Sequence, residues 1–508
     1  MLKKIFPKIF PMMIALCMST AILFAQQPPA QGPGTDAKDL PSKVQRLNKA
    51  PVNNEILKVK LPHPVEASLP NGLSILILEQ HHLPAVYYSL WIKSGALSDP
   101  KDMPGLASFT ADQLREGTTK RNSSQIATEL DEMGATFNAD ANFGSNVTMI
   151  AASGLSQSAD KLMEIVSDIV LNPSFPADEL LKYQRQEGAR LYQMRSNPGF
   201  LARERFARAA YGDFPAAIQS PTLDSLKKAN AEALKAFHDK YYAPNNAILA
   251  IAGDVTVAQA KELAQKYFGA WKTHAIEAPT LGAVTAPAAA HIFLVDRPGS
   301  VQSNILAGAL SLKRSDPEYI PLVVTNRILG GGSAARLFSN LREEKGYTYG
   351  AYSRVTSDIY PGLMVANTEV RNAVTDGSLH ELMYEFKRLR DEKVPQGELE
   401  EAKRSIVSSF ALSLENPVVI LNNWMTVKYF GLGNDYWDHY SDEIAKVDAD
   451  TVQRIAKKYV DLDHLQIVVV GDAKQVHDAV AKYGTVEVFD ADGKPEESKA
   501  ASAPTGNN

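Results

Sequence analysis

"KYYAPNNAILAIAGD" (Lys240–Asp254) and "KYVDLDHLQIVVVGD" (Lys458–Asp472) carry one pattern twice. In each, a lysine-tyrosine pair closes a helix, a turn follows, an apolar run forms a buried strand, and Gly-Asp ends it before an amphipathic helix. The lysine-to-glycine spacing is 13 residues in both, and the copies lie 218 residues apart. Ser98-Asp99-Pro100 recurs at Ser315-Asp316-Pro317, an offset of 217. Two matches at nearly one offset imply a duplicated domain of a little over 200 residues; chance similarity does not keep a spacing.

Within a copy, strands and helices come in separate runs. "GLSILILEQ" and "AVYYSLWIKSGAL" read as strands, and "ATFNADANF" with "SNVTMIAASG" as a hairpin. "SADKLMEIVSDIVLNP", "ADELLKYQRQEGARLYQM" and "TVAQAKELAQKYFGAW" have helical spacing. This order predicts an α+β fold: two homologous domains, each a mostly antiparallel sheet covered on one side by helices.

Residues 64–275 form the first domain and 291–488 the second. Between them lies an Ala/Pro-rich stretch, Lys272–Ala290, whose residues 276–290 serve as the linker. Residues 26–63 read as a flexible lead-in and 489–508 as a disordered tail. Residues 1–25 read as an export signal: Lys3, Lys4 and Lys8, then an apolar core too short to span a membrane comfortably. An uncleaved N-terminal anchor is the alternative. Export places the protein in the periplasm.

Removing residues 1–25 takes three lysines and no acids, so the net charge of −5 becomes −8. With no Lys/Arg cluster, such a chain is a poor nucleic-acid binder. The only cysteine, Cys17, leaves with the signal, which excludes disulfides and thiolate chemistry. No later stretch is apolar enough to span a membrane.

The halves, with "LPNGLSILIL…SLWIKSGALSDP…GLASF" in the first and "ILGGGSAARLFSNLREEKGYTYGAYS" in the second, resemble the pitrilysin/insulinase (inverzincin) zinc peptidases, processing-peptidase branch. The likeness covers about residues 64–488 and implies that the two domains form half of a clamshell. Active members carry H-x-x-E-H on the helix matching "GLASFTADQLREGT" (Gly105–Thr118). Two histidines at i and i+4 share a helix face and hold one zinc; the glutamate at i+3 activates the bound water. Here those positions are Ser108, Ala111 and Asp112. The family's third ligand, a glutamate further along, falls at Gly188–Arg190, with Arg190 the best fit and Glu187 just outside. The metal site is therefore expected to be degenerate, with no zinc or other cofactor in this chain. His81-His82 and His380-Glu381 offer no replacement: the two histidines point apart if extended, and His380 suits a solvated helix face.

The second half matches the family differently. Arg342 and Tyr349, seven residues apart in "LREEKGYTYGAYS", match the pair that holds the scissile carbonyl and stabilises the developing oxyanion. A bland reading is also available: Arg342 complements a helix C-terminus and Tyr349 packs in a sheet. Tyr347 is the second candidate for the phenol, because alternation places it on the same strand face as Tyr349. Gly331 and Gly332, with Gly330, resemble the family's glycine turn before the arginine helix. The segment around Asn138 matches an edge strand that takes extended peptide; strand addition and an ordinary covered hairpin both stay open.

The resemblance implies the non-zinc subunit of an exported heterodimeric metallopeptidase, acting on unfolded peptide with an H-x-x-E-H partner that holds the zinc. A catalytically inert peptide-binding scaffold is the alternative. An autonomous protease would need a nucleophile set, and no G-x-S-x-G is present.

Overall fold

The computed structural model describes residues 55–496. The signal, residues 26–54 of the lead-in and residues 497–508 of the tail lie outside the described residues.

The first half runs β1 (Val65–Ser68), β2 (Ser74–Glu79), β3 (Ala85–Ile92), α1 (Leu106–Gln113), α2 (Ser123–Glu132), β4 (Thr136–Asp140), β5 (Thr148–Leu155) and α3 (Ala159–Leu171). It continues with α4 (Ala177–Arg195), α5 (Pro198–Tyr211), α6 (Leu223–Lys228), α7 (Ala231–Tyr241), β6 (Ala247–Gly253) and α8 (Val257–Phe268). The second half opens with β7 (His291–Asp296), β8 (Gln302–Leu310) and α9 (Tyr319–Leu329). A short helical segment, Arg336–Phe338 running into the π-helical turn Ser339–Glu344, precedes β9 (Thr348–Val355) and β10 (Leu363–Arg371). Then come α10 (Thr375–Asp391), α11 (Gln396–Ser413), α12 (Pro417–Phe430), α13 (Tyr440–Lys446), α14 (Ala449–Tyr459), β11 (Gln466–Gly471), α15 (Ala473–Val480) and β12 (Val486–Phe489).

The two sheets have the orders β1-β2-β6-β3-β5-β4 and β12-β7-β11-β8-β10-β9. Five strands correspond one to one, and the repeated Gly-Asp motif ends β6 and β11 at matching places. The sixth differs: β1 comes from before the repeat and runs antiparallel to β2, whereas β12 comes from after it and runs parallel to β7. Both sheets are mixed, because β2–β6 and β7–β11 are also parallel pairs, yet most pairings are antiparallel.

One face of each sheet packs on its own half's helices, giving two large apolar cores. The other face is covered as well, contrary to the expectation of one-sided cover. Phe200, Leu201, Phe206 and Ala207 of α5 pack on Val468, Val470 and Leu306 of the second sheet. Reciprocally, Ile420, Leu421, Trp424 and Met425 of α12 pack on Leu76, Ile248 and Ala250 of the first. The two helices are repeats of each other. Each opens at Asn-Pro, with Asn197 or Asn416 accepting a backbone N–H of the first turn, and closes at Gly212 or Gly431 with positive φ. β6 and β11 are buried along their whole length, so each half completes the other's core.

The segment 272–290 contains no helix or strand, but it is packed: Ile276 lies against the first core and Leu281 against the α5 cluster. The lead-in and tail are shorter than expected. Leu61 is buried, and the Pro62 carbonyl accepts the Trp424 Nε1 hydrogen at 2.8 Å, so residues just before 64 belong to the fold. Phe489 is buried in β12, and Glu496 N donates back to the Val488 carbonyl. Apolar side chains at 61 and 489 explain both differences. Among the described residues no single helix is long and apolar enough to cross a membrane.

Candidate functional site

Of the sequence-derived metal positions, Asp112 and Arg190 come together, in a network of the chain's own side chains. α1 is positioned by Asp99, whose carboxylate accepts from Gly105 N at 2.7 Å and Ala107 N at 2.8 Å. Ala111 is buried in the core. Asp112 points to α4, where the Tyr183 hydroxyl donates to Asp112 Oδ2 at 2.6 Å. Arg190 makes a two-pronged contact with both oxygens of the buried Glu187. Tyr183, Glu187 and Arg190 stand at i, i+4 and i+7, one face of α4.

Burial raises the Asp112 carboxyl to about 6; the Tyr183 hydrogen bond opposes the rise and the nearby Glu187 charge adds to it. The Arg190 guanidinium supplies positive charge beside these two carboxylates. Zinc does not fit: serine and alanine hold two positions, and Tyr183 and Arg190 occupy the remaining donors. Among the described residues no group of three or more His, Cys, Asp or Glu side chains is arranged to hold a metal ion. His81 is engaged by Glu79 and Asp254, and His380 lies on an exposed helix face beside Glu381.

The second candidate site lies on the outer face of the second sheet. α5 packs mainly on β11 and β8, and the part of the sheet near β10 and the edge strand β9 floors a cavity of about 660 Å³. Tyr349, Tyr352, Arg354, Asn304, Asn367, Glu369 and Arg203 are among the residues that line it. Tyr349 is 93% exposed. Neither the Tyr349 nor the Arg342 side chain makes a hydrogen bond or ion pair among the described residues. Arg342 is exposed in the π-helical turn before β9 and does not line the cavity.

Tyr347 and Tyr349 do not share a strand face. The β9–β10 register shifts between Thr368 and Val370, so Tyr349 and Gly350 together oppose Glu369. This bulge breaks the alternation. Tyr347 packs against the second core and beside Gly377, while Tyr349 faces the cavity.

Gly331 and Gly332 also lie outside the cavity wall. They pack on Arg327, which donates to the Gly331 carbonyl, and the Gly330 carbonyl accepts from Ser353 N at 2.8 Å, tying the turn to β9. Asn138 is exposed on β4, which pairs only with β5 and is the edge strand of the first sheet.

Two family models match the chain between them: "Insulinase (Peptidase family M16)" over residues 75–220 and "Peptidase M16 inactive domain" over 228–406. The chain belongs to the M16 peptidase family. An uncharacterised zinc protease of Streptomyces coelicolor is 26% identical over 437 residues, covering 82% of this chain and 92% of the relative. The Bacillus subtilis zinc protease YmxG, also uncharacterised, is 23% identical over 357 residues, covering 68% and 83%. The crystal structure of a peptidase M16 inactive domain from Pseudomonas fluorescens matches with a TM-score of 0.75 and 27% identity, covering 80% of this chain and 98% of that one. A Helicobacter pylori protease, 19% identical with a TM-score of 0.74, shares the fold, covering 81% of this chain and 100% of that one. The family uses zinc.

Proposed function

We propose that this chain is the non-zinc subunit of an exported two-chain M16 metallopeptidase. It binds unfolded peptide and presents Arg342 and Tyr349 to the active site of a homologous partner carrying H-x-x-E-H. The observation that carries this reading is an asymmetry between the halves. The metal positions of the first half are committed to bonds within the chain, whereas Tyr349 stands 93% exposed and unpaired on a cavity wall. A tyrosine retained for packing would be buried.

The Tyr349 hydroxyl would donate to the scissile carbonyl oxygen as negative charge develops, and the Arg342 guanidinium would add fixed positive charge. The zinc, held by the partner, would supply the activated water. Arg342 lies outside the cavity wall in the chain alone, so the reading requires the peptide to reach it once the partner closes over the site. The exposed edge of β4, with Asn138, is available to take peptide backbone by strand addition. The basic start and apolar core of residues 1–25 support export to the periplasm.

A second reading, a peptide-holding scaffold without catalytic part, is favoured by the same closed metal positions. The test is cleavage of a quenched unfolded peptide by the mature protein, alone and co-expressed with an H-x-x-E-H homologue from the same organism. Activity only in the mixture supports the complementing subunit. A complex that forms yet does not cleave supports the scaffold, and cleavage by this chain alone overturns both.

A further inference from the structure

The cavity beside Tyr349 holds two arginines without a partner. Arg203 projects from α5 and Arg354 from β9, and both line the 660 Å³ cavity. Neither forms a salt bridge or a side-chain hydrogen bond among the described residues. Burial and the like charge of Arg354 hold the Arg203 guanidinium below its usual range. The Asn304 amide nitrogen, buried and without a hydrogen-bond partner, lies opposite Glu369 across β8 and β10. A methyl group built on Gly199 would lie 3.6 Å from Arg203 Nη1 and 3.7 Å from Asn304 Oδ1, so both side chains border the same glycine.

The cavity's acid, Glu369, stands away from Arg354, opposite Asn304 on β8. It lies opposite the Tyr349–Gly350 bulge, whereas Arg354 pairs with Val365, four residues away along β10, roughly 13 Å. Arg354 and Glu369 are thus separated along the strands. Guanidinium hydrogens donate and cannot accept, so the complementary ligand is an anion rich in acceptors. In a peptide, that group is a carboxylate, which a planar guanidinium fork fits in two-pronged fashion.

We propose that Arg203 and Arg354 form a carboxylate-binding subsite that holds an acidic side chain or the C-terminus of a bound peptide. Arg354 and Tyr349 are five residues apart on β9, which the bulge shortens to roughly 13 Å of strand. An extended peptide would therefore place its carboxylate roughly three to five residues from the bond beside Tyr349. The subsite rests on the peptide-binding part of the proposed function and not on transfer of Tyr349 to a partner's active site.

The test is fluorescence anisotropy of the full-length mature protein with labelled unfolded decapeptides. One series moves a single glutamate along an otherwise neutral sequence, with glutamine at the same positions as control. A second compares a free C-terminal acid with its amide. The expected result is roughly tenfold tighter binding of the acidic form in one series, which identifies the carboxylate's source. Arg203→Gln and Arg354→Gln should each abolish that preference while leaving the neutral peptide's affinity within about twofold. The preference should weaken with added salt. Tyr349→Phe should keep it, so a failed turnover experiment with an intact preference removes the catalytic reading alone. Equal binding of acidic and neutral peptides, a preference that survives in both arginine variants, or no binding of any peptide overturns the subsite.

Discussion

The Tyr183 hydroxyl donates to Asp112 Oδ2 at 2.6 Å, across positions that the resemblance matches to a zinc site. The bond joins α1 to α4 and does mechanically what a metal would do there, fastening two helices. Glu187 and Arg190 close the rest of the site. These contacts hold α1 in place through the chain's own side chains.

Asp112 carries a pH signature. Its carboxyl titrates near 6 in the folded chain against 3.8 ordinarily, because it is buried. Between those values the folded state holds the proton more tightly than the unfolded one. Stability from this group is full below about pH 4, falls as pH rises through 6, and is constant above. Asp112→Asn keeps an acceptor for Tyr183 and removes the charge. The variant should therefore exceed wild type by roughly 1–3 kcal/mol above pH 6, with the gap closing towards pH 4. Denaturant melts at pH 4, 5, 6 and 7.5 check this. A gap that does not change with pH would refute the assignment.

Arg190 should matter to the fold more than a surface arginine does. Arg190→Ala leaves the buried Glu187 carboxylate unpaired beside Asp112, at a cost of roughly 1–3 kcal/mol after allowance for solvent reaching Arg190. Adding Glu187→Gln should restore most of the loss, since the unpaired charge is what costs. A double-mutant cycle by urea unfolding measures the coupling, and additive losses would show that the pair is incidental.

Tyr349→Phe should leave stability unchanged, because the hydroxyl is exposed and unbonded within the chain. In the reconstituted complex it should lower turnover by roughly 10²–10³, the usual effect of removing one oxyanion donor. Tyr347→Phe should not lower turnover, since Tyr347 packs beside Gly377 away from the cavity. Steady-state cleavage by the two variants decides between them, and equal losses would mean that the bulge does not separate their roles.

Much of the fold was legible because duplication left Gly253 and Gly471 at matching strand ends. What covers the sheets was half legible. "AILAIAG" in β6 is apolar without alternation, which signals burial on both faces. The apolar face of α12 says that it is buried, not against which sheet, so the reciprocal exchange with α5 needed the structure. At the metal site, chain counting placed Arg190 at the third position and Glu187 outside. Three residues are nearly one helical turn, so both lie on one face, a periodicity that also pointed to Tyr183. Tyr347 and Tyr349 were misjudged because a bulge inserts one residue; Gly350 inside the strand was its signal. Tyr352 and Arg354 obey alternation and could have been assigned to the cavity face, while Arg203 reaches it only through α5's crossing of the second sheet.

Trp424 tests whether the two halves stabilise each other. It is 2% exposed, packs from α12 onto the first half's sheet and donates its indole hydrogen to Pro62 O at 2.8 Å. Trp424→Ala opens a large cavity between the halves and should cost roughly 3–5 kcal/mol. Because α12 belongs to the second half and β2 and β6 to the first, the loss should appear as lowered stability of both. Hydrogen exchange read separately on β6 and β11 makes the distinction. Faster exchange in both strands supports a single cooperative unit built by reciprocal helices, whereas acceleration confined to β6 would mean that the halves unfold independently.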